Sequence, residues 1–175
     1  MSARPRVALF LTIALAATLA IGYAAAPAHS ISKSKAKQVA LKAFGVKKEK
    51  KRNVIVFGLP KPLGAKQAVS EASVNRLGID KPTKKQKAKL KKLGRAAWLF
   101  WEDQVPFGHF EHPSRFVLVD DKTGRIVRSE WTMWYPLIDG RRPAFLRSPE
   151  KYRESKWQVF KRFKPPEELP QPPVA

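Results

Sequence analysis

Cysteine is absent from the 175-residue chain, and histidine occurs only three times. The first absence removes disulfides, thiolate metal sites, iron–sulfur clusters and cysteine nucleophiles together. The second leaves little for histidine-based acid–base chemistry. Acid is scarce too, with 14 Asp+Glu against 35 Lys+Arg and a formal charge of +21. No glycine-rich phosphate loop and no G-x-S-x-G elbow is present. Ser114 stands near His112, but nucleophilic catalysis needs an oriented base, not sequence proximity. Glu102/Asp103 and Glu167/Glu168 are neighbours without a pocket to separate their pKa values. A non-enzyme with no cofactor is the expectation. What remains is a folding composition, 43% hydrophobic and 10% aromatic, in a length that supports one ordinary domain.

Arg4 and Arg6 precede the apolar run Val7 to Ala26, and Ala26-Pro27-Ala28 follows. That is the order of a secretory signal: basic start, apolar stretch, small-residue cleavage site. Residues 1–28 are therefore expected to be a signal peptide cut after Ala28. An uncleaved anchor is the competing reading, because about 20 apolar residues can span a bilayer. Lys33, Lys35 and Lys37 lie close behind, where positive charge opposes export. The expected location is secreted or in the cell envelope. Losing Arg4 and Arg6 with no acid would take the charge from +21 to +19, which still attracts anionic partners.

From there the expected organisation is one α+β domain over 29–163 with a basic insertion at 45–95, then a tail. Ser32 is a good N-cap, with Ile31 packing on Ala36 as a staple. Ala36, Val39, Ala40, Ala43 and Phe44 share a helical face that Gly45 closes. Asn53 to Phe57 reads as a strand. Ala65, Ala68, Val69, Ala72 and Leu77 fit a helix stopped by Gly78, and Thr83 caps another running to Gly94. Ala96 to Trp101 is an aromatic strand, and Arg115–Val119 and Arg125–Trp131 form a hairpin around Asp120 and Gly124. The third strand extends toward Pro136, which interrupts it. Tyr152–Phe160 fits a short helix or a strand equally well. Residues 164–175, with five Pro in twelve, form an extended tail.

The Ile-Ser-x-x-x-Ala helix, the Trp-bearing strand and the Phe-Val-Leu-Val-Asp-x-x-Thr-Gly-x-Ile-Val hairpin together resemble a PepSY domain. This is the small secreted α+β module of thermolysin-type peptidase propeptides and other bacterial envelope proteins. The likeness covers residues 31–44 and 98–131. It implies an N-terminal helix packed on a small antiparallel sheet, with no catalytic residue. It also implies a binding role: regulating or localising an extracellular peptidase or another envelope protein. Residues 45–95 are longer and more basic than the family's usual connection, and 132–175 lie outside it.

Strand alternation sets Trp98 and Phe100 opposite Leu99 and Trp101, and Phe116 and Leu118 opposite Val117 and Val119. Such a sheet needs cover on both faces. The opening helix supplies one, and Trp157, Val159 and Phe160 are candidates for the other. Packing into a core is the default reading of these aromatics. The functional alternative is a partner-binding face of Trp98, Trp101, Arg128, Trp131, Trp134, Arg141 and Arg142, since Trp and Arg anchor interfaces. A second candidate is a polyanion-binding arm of Lys84, Lys85, Lys87, Lys89, Lys91, Lys92 and Arg95. Its bland counterpart is a solvated surface segment. The arm would suit an anionic envelope polymer or lipid headgroups; nucleic acid is not expected behind an export signal. His109 and His112, with Glu102, Asp103 and Glu111 nearby, invite a metal. Zinc needs three or four converging ligands, so a structural loop is favoured and no metal is expected.

Overall fold

The computed structural model describes residues 30–50, 52–72, 83–84, 88–108 and 111–163. The expected leader 1–28, the tail 164–175, and Lys85, Lys87, His109 and Phe110 lie outside them. The opening helix α1 runs Lys33–Phe44. Ser32 Oγ accepts the Lys35 N–H at 3.2 Å, and Gly45 ends the helix at φ 69°, a left-handed conformation that glycine adopts without a Cβ clash. Ala36, Ala40, Leu41 and Phe44 are its buried residues. Leu41 replaces Val39 and Ala43 at the centre of the buried face, and those two are half-buried beside it. Arg115 Nη1 donates to Ala43 O at 2.9 Å, and Arg52 Nη2 donates to Phe44 O at 3.3 Å. Both place positive charge on carbonyls that the helix end leaves unpaired.

Among the described residues, seven strands follow: β1 Val54–Gly58, β2 Val69–Glu71, β3 Ala97–Asp103, β4 Ser114–Asp120, β5 Ile126–Thr132, β6 Pro136–Ile138 and β7 Gln158–Arg162. A three-residue 3-10 turn, Ala144–Leu146, and a short helix α2, Pro149–Arg153, precede β7. The main sheet has the order β5-β4-β3-β1-β7, and every pairing in it is antiparallel. The β4–β5 hairpin forms as its turn chemistry predicts. Asp120 Oδ1 accepts the Thr123 N–H at 2.7 Å, and Gly124 sits at φ 71°.

The alternation predicted for β3 and β4 holds. Trp98, Phe100, Val117 and Val119 join Val54, Val56 and the buried residues of α1 in one apolar cluster. Leu99, Trp101, Phe116 and Leu118 join Ile55, Phe57 and Phe145 in a second cluster across the sheet. Each large apolar side chain withdrawn from water contributes roughly 1.5–3 kcal/mol. The proposed second cover divides. Trp157 packs on the Phe57 side, but Val159 and Phe160 pack on the α1 side. The segment that reads equally as helix or strand is both, α2 and then β7.

Two expectations are corrected. The helix predicted from Ala65 to Leu77 gives way, within the described residues, to a turn and then β2, which pairs antiparallel with β6. The alanine-rich spacing offers little apolar area to hold a helix. The strand, in contrast, gains Asp139 Oδ1 as acceptor for the Ala68 N–H at 2.9 Å. Pro136 opens β6 opposite Glu71, at a strand's first residue, where a missing N–H is tolerated. The helix predicted from Thr83 to Gly94 does not reach Gly94. Lys84 and Ala88 are helical, the chain turns at Lys89, and Lys92 bridges Ala68. The Leu93 N–H then donates to Gln67 O at 2.9 Å. Among the described residues, no helix is long and apolar enough to cross a membrane.

Candidate functional site

Strand β3 ends on two carboxylates that face opposite ways. Glu102, fully buried, accepts Arg52 Nη2 at 2.6 Å and Gln104 Nε2 at 3.2 Å. Burial pushes its carboxyl above the usual glutamate range, and the Arg52 charge opposes that shift. Asp103, 2% exposed, turns to the other face. Its Oδ1 lies 3.0 Å from His112 Nε2 and accepts the Val105 N–H at 3.0 Å. Its Oδ2 accepts the Tyr152 hydroxyl. Burial, then the Asp103 charge, pushes the Tyr152 phenol up, so it remains a proton donor. One carboxylate thus ties together the end of β3, the following loop and α2.

The loop between Asp103 and His112 turns sharply. Phe107 has φ 67°, and the Gly108 N–H donates to Val105 O at 2.8 Å. A Cβ on Gly108 would stand 2.9 Å from Val105 O and 3.2 Å from His112 Nδ1, so only glycine lets the loop close this tightly. The turn places the Phe107 ring 5.0 Å from that of Tyr152 and 5.2 Å from that of Phe163. On the other side, Trp101 stacks on Phe57 at 5.4 Å and on Phe145 at 6.0 Å. Trp134 meets Tyr135 edge-on at 6.3 Å.

These elements enclose an open cleft of about 650 Å³. Its aromatic wall includes Trp101, Phe107, Trp134, Tyr135 and Tyr152, and Arg142, Arg147 and Arg153 also line it. Asp103 is the one acid among the described residues of this lining, and its oxygens are already engaged. The Arg153 guanidinium lies 5.7 Å over the Phe107 ring, and that of Arg142 lies 6.0 Å over Tyr135. The indole N–H groups of Trp101 and Trp134 are buried and meet no acceptor among the described residues, a costly condition for a donor withdrawn from water. Arg142 and Arg147 also line a second cavity of about 400 Å³, with Arg141, Leu63 and Pro143.

The residues expected to share a partner-binding face are dispersed. Trp98 and Trp101 are 7% and 3% exposed and lie on opposite sides of the sheet, so no single exposed face contains both. Trp98 is bound through Nε1–H to Asp121 Oδ1 at 2.8 Å. Arg128 is internal bracing. Its Nη1 donates to Val69 O at 2.7 Å, its Nη2 to Glu130 Oε2 at 2.7 Å, and its guanidinium lies over Phe116. Trp131, 59% exposed, sits under the Arg115 guanidinium at 5.4 Å. Trp134 and Arg142 meet at the cleft with Trp101, and Arg141 lines the adjoining cavity. Of the basic arm, Lys84, Lys89, Lys91, Lys92 and Arg95 are exposed, with Arg95 3.5 Å from Asp120.

Phe107, Tyr152 and Arg153 belong to the cleft without a sequence signal that marks them, whereas Asp103 was singled out in the sequence beside His112, which it meets at 3.0 Å. His112 is committed to Asp103, and His109 lies outside the described residues. Among the described residues, no group of three or more His, Asp or Glu is placed to hold a metal. Comparison with known proteins finds no matching family model, no matching curated protein and no matching solved structure.

Proposed function

We propose that the chain is an exported, non-catalytic binding module on a PepSY-like scaffold, and that it holds an envelope protein, such as a peptidase, through the aromatic–arginine cleft. The observation that carries this reading is the open cleft itself, walled by Trp101, Phe107, Trp134, Tyr135 and Tyr152 and lined by Arg142, Arg147 and Arg153, with two buried indole N–H groups, Trp101 and Trp134, that meet no acceptor among the described residues. Concave sites with apolar walls and a few converging polar groups are where ligands bind, and Trp and Arg dominate binding energies. The non-catalytic part is supported by the hydroxyl nearest in sequence to His112. Ser114 Oγ is engaged with Thr132 Oγ1 at 2.9 Å and Trp134 O at 2.8 Å. The PepSY likeness is supported by an opening helix followed by a mainly antiparallel sheet.

The test uses the full chain, tagged and purified from an exporting host, as bait in an envelope extract, beside a Trp134→Ala/Arg147→Gln variant. Elution proceeds with salt, then denaturant. The expected outcome is a protein that survives the salt step on the wild type and is lost from the folded variant. Equal capture by the variant would overturn the cleft as the binding surface.

A second reading, a polyanion-binding envelope protein, is favoured by the exposure of Lys84, Lys89, Lys91, Lys92 and Arg95. Polymer or lipid released by salt alone, with no protein left for the denaturant, would select it.

A further inference from the structure

We infer that the cleft receives an extended acidic peptide segment bearing proline, contributed by the partner. This rests on the reading of the chain as a binding module and adds the chemistry that the site recognises. About 650 Å³ lies within the range of pockets that enclose a small ligand or a few side chains, so the cleft takes a segment and not a folded face. Three features narrow the segment's chemistry.

The first is charge. Arg142, Arg147 and Arg153 line the cleft, and Asp103, the one carboxylate among its described lining residues, is engaged by His112, Tyr152 and the Val105 N–H. A basic ligand would therefore meet repulsion with no acid to receive it. A carboxylate would find guanidinium groups, whose forked donors match its two oxygens. The second is the walls. Phe107 and Tyr152 are tilted at 57° with centroids 5.0 Å apart, and Trp134 and Tyr135 stand nearly perpendicular. Aromatic walls of this kind suit the flat, rigid ring of proline. Grooves of this composition take proline-rich segments because the bound conformation costs little ordering entropy. The third is the surplus of donors on the walls. A polyproline-type backbone has no internal hydrogen bonds, so its carbonyl oxygens are free to accept from the Arg147 and Arg153 guanidinium groups that line the cleft.

The experiment titrates the full chain with a labelled peptide of alternating proline and glutamate, followed by fluorescence anisotropy. The expected result is saturable binding. It should weaken by about tenfold or more when glutamine replaces glutamate in the peptide. A similar loss is expected for the Arg147→Gln/Arg153→Gln variant, with no change for Lys91→Gln/Lys92→Gln, which lies in the basic arm. Equal binding of the glutamine peptide would remove the acidic specificity. An equal loss in the lysine variant would reduce the effect to the net charge of the molecule. Glu167 and Glu168 follow Pro165 and Pro166 in the chain itself, so a Glu167→Gln/Glu168→Gln variant is titrated as well. Clearly tighter peptide binding by that variant would assign the site to the chain's own residues and overturn the partner as the source. If an envelope protein depends on Trp134 and Arg147 for capture but is not displaced by the peptide, the ligand class is wrong while the binding module stands. If its capture is indifferent to both residues, the underlying reading fails.

Discussion

Asp120 holds its hairpin through one oxygen. Oδ1 accepts the N–H groups of Lys122 and Thr123 and the Thr123 hydroxyl, at 3.0, 2.7 and 3.0 Å. These bonds favour the charged form, the Thr123 N–H most of all, and hold the carboxyl below the usual aspartate range. A depressed folded pKa means that the unfolded chain binds more protons at acid pH. The contribution of Asp120 is therefore complete above about pH 4, the unfolded value. It is lost as pH falls through the lower folded value. Asp120→Ala should cost on the order of 1–3 kcal/mol at neutral pH, measured by urea unfolding. Asp120→Asn should cost less, because an oxygen remains, and should show a smaller loss of stability between about pH 4 and pH 2 than the wild type. An unchanged acid limb in Asp120→Asn would show that other carboxylates govern it. Asp120 and Gly124 were legible from sequence, as were Ser32 and Gly45, because each acts within a few residues of itself. The tie between Asp103 and Tyr152 was not, since it joins residues 49 apart in the chain, and no local pattern records such a pairing. The same distance hid the cleft, which needs the end of β3, the Phe107 loop and α2 together.

Among the elements, β1 is the most constrained, because it lies between β3 and β7 with cover on both faces. A Cβ on Gly58 would come within 2.9 Å of the Phe100 ring and 3.0 Å of Val159 Cγ1. Both belong to the cluster that packs with α1. Gly58→Ala should therefore destabilise by roughly 1–3 kcal/mol, as overpacking does, in thermal or urea unfolding. Gly64 provides the contrast, with only the Gln67 side chain 3.9 Å from its ideal Cβ. Gly64→Ala should leave stability within about 0.5 kcal/mol. Similar losses in both would mean that backbone freedom, not space, is what glycine supplies at position 58. The strands β1, β3, β4 and β5 were legible because their β-branched and aromatic runs are long enough to carry a period of two. The short β2 and β6 were not. Ala68, Val69 and Ala72 fit a helical template as well as a strand, and only the Asp139 side chain and the register with Pro136 decide between them.

For the molecule as a whole, +21 is a repulsive load on any compact state. Added sodium chloride should raise the melting temperature between about 0.01 and 0.15 M, as the screening length shortens. A melting temperature that falls over this range would mean that attractive pairs such as Arg52–Glu102 outweigh the net repulsion. The antiparallel sheet was legible in outline, its hairpin from turn chemistry and the rest as what the family resemblance implied. Its strand order was not, because it depends on which strand arrives beside β1. That order also has a kinetic consequence. β1 is made before either of its neighbours, and it pairs Gly58 with Phe100 and Val54 with Arg162. Contacts this distant in sequence slow folding, because long loops must close before any pairing rewards them. The β3–β4–β5 meander can form from near neighbours and can then take β1 on β3, but the other edge of β1 stays open until residues 158–162 have been synthesised. Until then the chain is a substrate for chaperones and for any machinery that handles unfolded polypeptide.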